Sequence, residues 1–597
     1  MEFTIGDEVV GGRSLGTDYI LRTSIAPPTA TSQQGPAPAR RRPWPRLAQR
    51  PNLLVLLALV LAALVALPVL SVLANLFVGG SSDTWAHLAS TVLAGYVGNT
   101  LWLFAGVGAG VAVVGVATAW LTTMHEFPGR RQFEWALVLP MAMPAYVLAY
   151  VYTDLLQFVG PVQGWLRDTF GWKRGDYWFP EIRSAGGAVA MFVFVLYPYV
   201  YLLARTAFLE RAGGMLEAAR TLGSGPWASF FRVSLPLARP AIVAGMSLAL
   251  METLADYGTV SYFAVPTFTT GIYRAWFSLG DRVAAAQLAA ALLGFVVLLL
   301  ALERTTRGRA RFHNTTGRNR PQHGLHLTGW RGAAAFLVCA APLVAGFVLP
   351  ALLLVRLALG EPDAAAAVPI GARFARLAGN SLLLASVTAL TGVLLALLLA
   401  YAARMAKGAG PAALNRLVSL GYAVPGSVIA VGVLIPVTRL DNWLALQWQA
   451  WFGANPGLLI TGGIAALVYA YLVRLLAVAL QTVQASLAKI TPSMDDAARS
   501  LGHGQTLTLW RVHVPLLRGS LFTALLLVFV DVMKELPATL VMRPFNLDTL
   551  ATQTYTLASD ERLAEAALPA LAIVAVGLLP LIVLSRQIAR SRRGQRP

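Results

Sequence analysis

Long apolar runs, each long enough for a bilayer-crossing helix, recur along this chain, parted by shorter polar stretches that carry most of its arginines. A helix needs roughly 20 apolar residues to cross the hydrocarbon core. About twelve runs meet that length. In the first half they begin near Leu53, Asn99, Phe133, Gly187, Pro240 and Ala284, and in the second near Gly332, Asn380, Leu417, Leu458, Gly519 and Ala564. The pattern predicts an all-α polytopic membrane protein with about 12 transmembrane helices.

Composition agrees. Hydrophobic residues make up 57% of the 597, charged residues 13%, and mean hydropathy is +0.63. A soluble protein averages about 25% charged residues, so a water-exposed surface is excluded at this length. The single cysteine, Cys339, excludes an intrachain disulfide framework. Seven histidines form no metal-ligand cluster at helical spacing. Of the four lysines, Lys173, Lys407, Lys489 and Lys534, none follows a glycine, so the chain has no P-loop. No Ser-His-Asp or H-E-x-x-H constellation suggests an enzyme.

The arginines set an orientation, because short loops rich in Lys and Arg stay cytoplasmic. Seven precede the first run, seven more lie between Arg304 and Arg331, and five follow Ser585. An even number of spans puts all three segments, and so both termini, on the cytoplasmic side. Arg167, Lys173, Arg174 and Arg183 would face outward, nearly balanced by Asp168, Asp176 and Glu181. The net charge of +19 is thereby explained by topology and contact with anionic membrane lipids, without nucleic acid. These segments divide the chain into a basic, disordered tail (1–51), a first repeat (52–303), a basic linker (304–331), a second repeat (332–585) and a basic tail (586–597).

The two halves repeat each other at a shift of about 280 residues. Gly98-Asn99-Thr100-Leu101 matches Gly379-Asn380-Ser381-Leu382, and Pro144 matches Pro425, both at 281. Each proline is expected to kink its helix. The strongest match follows the fourth span of each half. LEAARTLGSGPWASFFRVSLPLARP (Leu216 to Pro240) repeats as MDDAARSLGHGQTLTLWRVHVPLLRG (Met494 to Gly519). At a shift of 279, Glu217 falls on Asp496, Ala218 and Ala219 on Ala497 and Ala498, and Gly223 on Gly502. Each loop reads as an amphipathic helix, a glycine break, a second helix and a proline. The acid suits the positive end of the helix dipole, the alanines permit close approach of another surface, and glycine permits a left-handed exit. Such a helix also fits a position on the lipid headgroups. Two copies on one side favour a docking surface for a paired partner.

Both loops resemble the EAA loop of ABC-importer permeases, in which E-A-A is followed by glycine and a distal Leu-Pro. The second copy departs with Asp496 for glutamate and Val514 before Pro515. Beyond the loops, METLADYGTV (Met251 to Val260), TTGIYRAWFSLGDRVAAAQLA (Thr269 to Ala289) and DVMKELPATL (Asp531 to Leu540) are similar to ferric-iron importer permeases of the FbpB type. The resemblance runs from about Leu53 onward. It implies two tandem six-helix type I permease repeats in a bacterial inner membrane. It also implies two copies of a cytoplasmic ABC ATPase docked on the loops, and a periplasmic ferric-iron-binding protein. Glu217, Ala218, Ala219, Gly223, Asp496, Ala497, Ala498 and Gly502 then form the coupling surface. ATP and magnesium would belong to the ATPase, leaving this chain without a cofactor.

Inside spans five and eleven stand Glu252 and Asp256, and Asp531 and Glu535, each pair four apart and the pairs 279 apart. Continued helix would put each pair on one face. Intramembrane carboxylates are costly and usually face a bundle interior or water. Ferric ion is hard and prefers oxygen ligands, so a transient ion path through these four acids fits, with no stable metal site. Ion pairing or helix capping, and docking of the binding protein at the outer end, are the alternatives. Tyr257 is a further oxygen donor or an interfacial aromatic, and Tyr197, Tyr199 and Tyr201 read chiefly as packing. Glycines 106, 108 and 110 read as close helix contacts.

The leading reading is the permease subunit of an ATP-driven, binding-protein-dependent importer, with ferric iron as cargo. Thiamine or a phosphonate is the alternative cargo. An ion-coupled secondary transporter also has two six-span halves and would use the acids as proton sites, but gives the two loops no role.

Overall fold

The computed structural model describes residues 53–79, 82–223, 225–307, 325–360, 370–405 and 409–593. The tail 1–51, most of the linker and the last four residues therefore lie outside the described residues. So do the side chains of Glu217, Ala218 and Ala219, although their backbone is helical.

Eleven helices among the described residues are long and apolar enough to cross a membrane, and one bent pair makes up to 12. In order they are span one (Leu56–Phe77), span two (Leu93–Met124), the bent span three (Arg130–Ala142 with Ala145–Phe170), span four (Ala185–Leu209), span five (Trp227–Ala255) and span six (Arg282–Thr306). The second half has span seven (Trp330–Leu359), span eight (Gly371–Met405), span nine (Gly426–Phe452), span ten (Ala465–Leu487), span eleven (Gln505–Met533) and span twelve (Leu563–Val583). The only strand pairing among the described residues joins His125–Glu126 to Leu325–His326. Expected starts at Leu417 and Leu458 precede their helices, which begin at Gly426 and Ala465, whereas Pro240 and Gly519 lie inside helices that begin at Trp227 and Gln505.

The two prolines do more than kink. Pro144 has extended backbone and starts a new helix at Ala145, with a 92° bend between the parts of span three. Pro425 starts the Gly426 helix in the same way. A proline ring clashes with helix at the residue before it, so the preceding turn ends there.

The repeats are not separate bodies: Asn52–Pro597 form one compact unit. Span one packs on spans eight, nine and ten, and span seven packs on spans two, three and four. The crossover is bonded in both directions, to matching acceptors but from donors on spans that do not correspond in the repeat. Tyr469 donates to the Leu64 carbonyl of span one at 2.6 Å, and Tyr152 to the Ala345 carbonyl of span seven at 2.7 Å. The two carbonyls are 281 residues apart, the repeat interval.

Close approach between spans two and four uses small residues, as expected where lipid gives no hydrophobic drive between helices. A Cβ on Gly110 would lie 2.4 Å from Val193 Cγ2, and one on Gly106 2.9 Å from Val189 Cγ2. Gly108 lies only in ordinary contact with Leu250 and Met246.

Candidate functional site: a charged cavity and two glycine-turned loops

Spans five and eleven both stop short of their second acid. The span-five helix ends at Ala255, and Asp256 leaves it with extended backbone. The span-eleven helix ends at Met533, two residues before Glu535. The expectation of two carboxylates on one continuous helix face is thus corrected, because the second acid of each pair instead caps a following short helix. Asp256 Oδ1 accepts the Thr259 amide at 2.9 Å, at the start of the helix Gly258–Tyr262. Glu535 Oε1 and Oε2 accept the Ala538 and Thr539 amides at 2.9 and 3.1 Å, at the start of the helix Pro537–Met542. A carboxylate here satisfies amides that a helix start leaves free and meets the positive end of its dipole.

The loops that follow are pinned by a second repeated device. Asn99 donates to the Pro266 carbonyl and Asn380 to the Asp548 carbonyl, both at 2.9 Å. Thr267 with Thr270, and Thr549 with Thr552, then form capping boxes on the next helices. The asparagines of the Gly-Asn pairs found in the sequence therefore tie spans two and eight to the segments that follow the short helices.

The four acids line one cavity of about 120 Å³, with Tyr146, Tyr199, Tyr422, Arg474 and Lys534 also on its wall. Glu252 accepts from Tyr422 at 3.0 Å and from Arg474 Nη2 at 3.4 Å. Arg474 Nη1 stands 3.8 Å from Glu535 Oε1. Asp531 pairs with Lys534 at 2.9 Å. Among the described residues, no three His, Cys, Asp or Glu side chains converge closely enough to hold a metal ion. Pairing and capping thus hold all four acids, yet Glu252 and Asp531 keep 29% and 23% of their side-chain surface accessible.

The tyrosines divide. Tyr197 and Tyr201 are buried in packing and only Tyr199 lines the cavity. Tyr257 lies elsewhere, stacked on Tyr273 with ring centroids 3.7 Å apart, beside a separate cavity of about 500 Å³.

On the face where spans four and ten end, the two loops share their turn. Gly223 and Gly502 have φ of +80° and +81°, the left-handed region that glycine adopts without strain. Beside them Leu222 and Leu501 are 85% and 76% exposed, an apolar pair presented at matching positions. In the second loop, Asp496 and Ala497 are exposed and Ala498 is buried. Asp496 pairs with Arg499.

The sequence profile of the family described as "Binding-protein-dependent transport system inner membrane component" matches residues 111–304 and 392–594. The chain belongs to that family. Two copies of its domain in one chain make this a fused ABC-importer permease, a multi-pass protein of the inner membrane. The Fe(3+)-transport system permease protein FbpB 2 of Haemophilus influenzae is 26% identical over 538 residues, which cover 90% of this chain and 98% of that protein. The molybdenum transport system permease protein ModB of Escherichia coli is 32% identical over 207 residues, 33% of this chain and 87% of that protein. The sulfate transport system permease protein CysT of Escherichia coli is 34% identical over 152 residues, 26% of this chain and 52% of that protein.

Part of this permease's machinery was not legible in its loop motif. Asp495, the first of the two consecutive acids, is buried, and its Oδ2 accepts from Arg404 Nε and Nη2 at 2.9 and 2.7 Å. Its Oδ1 lies 2.7 Å from Nε2 of the fully buried His513. Arg404 also donates to the carbonyls of Leu487, Ile490 and Thr491, where span ten ends. The network ties the second loop to spans eight and ten. The first half has Thr123, Leu216 and Ser234 at the matching positions, so this clamp belongs to one loop only.

Proposed function

We propose that this permease carries ferric iron from the periplasm to the cytoplasm, delivered by a periplasmic ferric-iron-binding protein and driven by two copies of a cytoplasmic ATPase. The observation that carries the cargo assignment is the set of four carboxylates around one cavity, contributed at two-fold related positions by both halves. Carboxylate oxygens suit a hard, highly charged cation and would repel an oxyanion such as sulfate or molybdate. The Fe(3+) transport named for the FbpB 2 relative, which matches almost end to end, points the same way.

The work divides between the acids. Asp256 and Glu535 hold the broken helices in place through their backbone bonds. Glu252 and Asp531, partly accessible, offer the cargo its transient oxygen contacts. Weak, partial coordination lets the ion leave, since conduction requires entry without trapping. Glu217, Ala218, Ala219, Gly223, Asp496, Ala497, Ala498 and Gly502 form the two surfaces on which the ATPases sit. Exposed Leu222 and Leu501 add apolar contacts there. Both loops then face the cytoplasm, as do both termini, in keeping with the arginine-rich segments. Closure of the ATPase pair on ATP would move both loops and switch the cavity between its two openings. ATP and its magnesium ion are bound by the ATPase.

ATP hydrolysis by the reconstituted complex tests the cargo. Binding protein loaded with ferric ion should stimulate turnover, whereas sulfate or molybdate should not. Stimulation by an oxyanion instead would transfer the cargo assignment to that class.

A further inference from the structure

The four acids of the cavity obey the two-fold repeat, but its cations do not. At the shift of 279 residues, Arg474 corresponds to Val195 and Lys534 to Ala255. Leu475 corresponds in the same way to Leu196, and all six residues line the cavity. The acids are therefore a shared feature of both halves, and both positive charges are additions made by the second half alone.

Of the two cations, Lys534 pairs with Asp531 three residues away on its own segment. Arg474 instead spans the halves, with Nη2 on Glu252 of span five and Nη1 facing Glu535 beyond span eleven. Its separations of 3.4 and 3.8 Å exceed the 2.7–2.9 Å typical of a charge-assisted bond. Its Nε has no hydrogen-bond partner among the described residues. The side chain is only 13% exposed, so water does little to solvate it. A guanidinium does not lose its proton in a protein, so its charge remains in the cavity throughout the cycle.

We infer that Arg474 is a tethered counter-cation: it occupies the place of the cargo at Glu252 between transport events, links the two halves, and yields Glu252 to an arriving multivalent cation by swinging toward Glu535. This rests on the reading of the cavity as the cargo path. Without cargo, the guanidinium offsets the repulsion between acids from opposite halves and holds the two halves together across the cavity. Arrival of a more highly charged ion at Glu252 repels the guanidinium, and breaking the link frees the halves to move. In this role Arg474 is a positioning residue, because it acts on the cargo through the acids it releases.

The test uses the full complex with its ATPase and binding protein in vesicles, comparing wild type with Arg474→Gln, Arg474→Lys and the double variant Arg474→Gln/Glu252→Gln. Co-purification of the ATPase first establishes that each variant is assembled. Arg474→Gln should raise ATP turnover in the absence of ferric ion several-fold and lower the iron moved per ATP by a similar factor. Arg474→Lys, which keeps the charge, should restore most of the coupling. The double variant, which removes one charge of each sign, should return cargo-free turnover toward wild type. Arg474→Gln with wild-type cargo-free turnover and wild-type iron per ATP would overturn the inference. So would an Arg474→Lys variant as defective as Arg474→Gln, since shape and not charge would then matter. If the wild-type complex responds to ferric ion and these variants fail as described, only this inference falls. If wild type itself shows no response to ferric ion, the cargo reading falls and takes the inference with it.

Discussion

Arg404, in the last turn of span eight, closes on Asp495 at 2.7 Å across 91 residues of sequence. The bond joins the second glycine-turned loop to the helix bundle, and Arg404 extends it to the end of span ten. Arg474 stands on that same span. The loop is thereby tied through Arg404 to the helix that bears the cavity's bridging cation.

Replacing Asp495 by alanine should separate ATP hydrolysis from transport. Removing one partner of a buried ion pair costs about 3–5 kcal/mol. The lower end is expected here, because Arg404 keeps its carbonyl acceptors at Leu487, Ile490 and Thr491. Iron moved per ATP should fall several-fold, and thermal melting of the purified permease should drop. Unchanged coupling would remove the clamp from the mechanism.

Asp496 provides the contrast, since its carboxylate is 68% exposed. A surface pair contributes roughly 0.2–1 kcal/mol, so Asp496→Asn should leave melting almost unaltered. Weakened co-purification of the ATPase by this variant would place the partner on the exposed face of the loop. Full retention of binding would argue against Asp496 as a contact.

Gly223→Val and Gly502→Val should lower coupled uptake while the protein still reaches the membrane. A Cβ at either position meets no atom within 4 Å, so no clash is involved. The penalty comes from the left-handed backbone, roughly 1–2 kcal/mol per residue. Uptake and ATP turnover measured together check this, and normal ATP-driven uptake in both variants would contradict a coupling role.

The four acids should fall into two classes. Changing Glu252 and Asp531 together to their amides should reduce iron flux even where the complex remains assembled with its ATPase. Asp256→Ala or Glu535→Ala should lower melting first, because loss of a helix cap costs about 0.5–2 kcal/mol. Unaltered flux in the Glu252/Asp531 double variant would leave pairing as the whole role of those acids.

The spans were legible because a bilayer demands long apolar helices, and hydropathy records that demand directly. The repeat was legible because matched motifs such as Gly98-Asn99 and Gly379-Asn380 survive at a fixed shift. What the sequence hid was which neighbour each apolar surface meets. Nothing in the Leu53 or Gly332 runs says that span one packs on the second half and span seven on the first. The misplaced face of the acid pairs had a readable cause, since Gly258 and Pro537 follow Asp256 and Glu535 by two residues. A proline in that position favours the start of a new helix over continuation of the old one. The Arg404–Asp495 clamp joins distant segments, and its only local trace is an arginine at the end of an apolar run and two acids where the loop motif uses one.

Uptake of radioactive ferric iron into vesicles holding this permease, its ATPase and its binding protein tests the account most directly. Uptake should require ATP and the loaded binding protein together, and a proton gradient should not replace either. Iron accumulation driven by a proton gradient alone, with the ATPase absent, would contradict it.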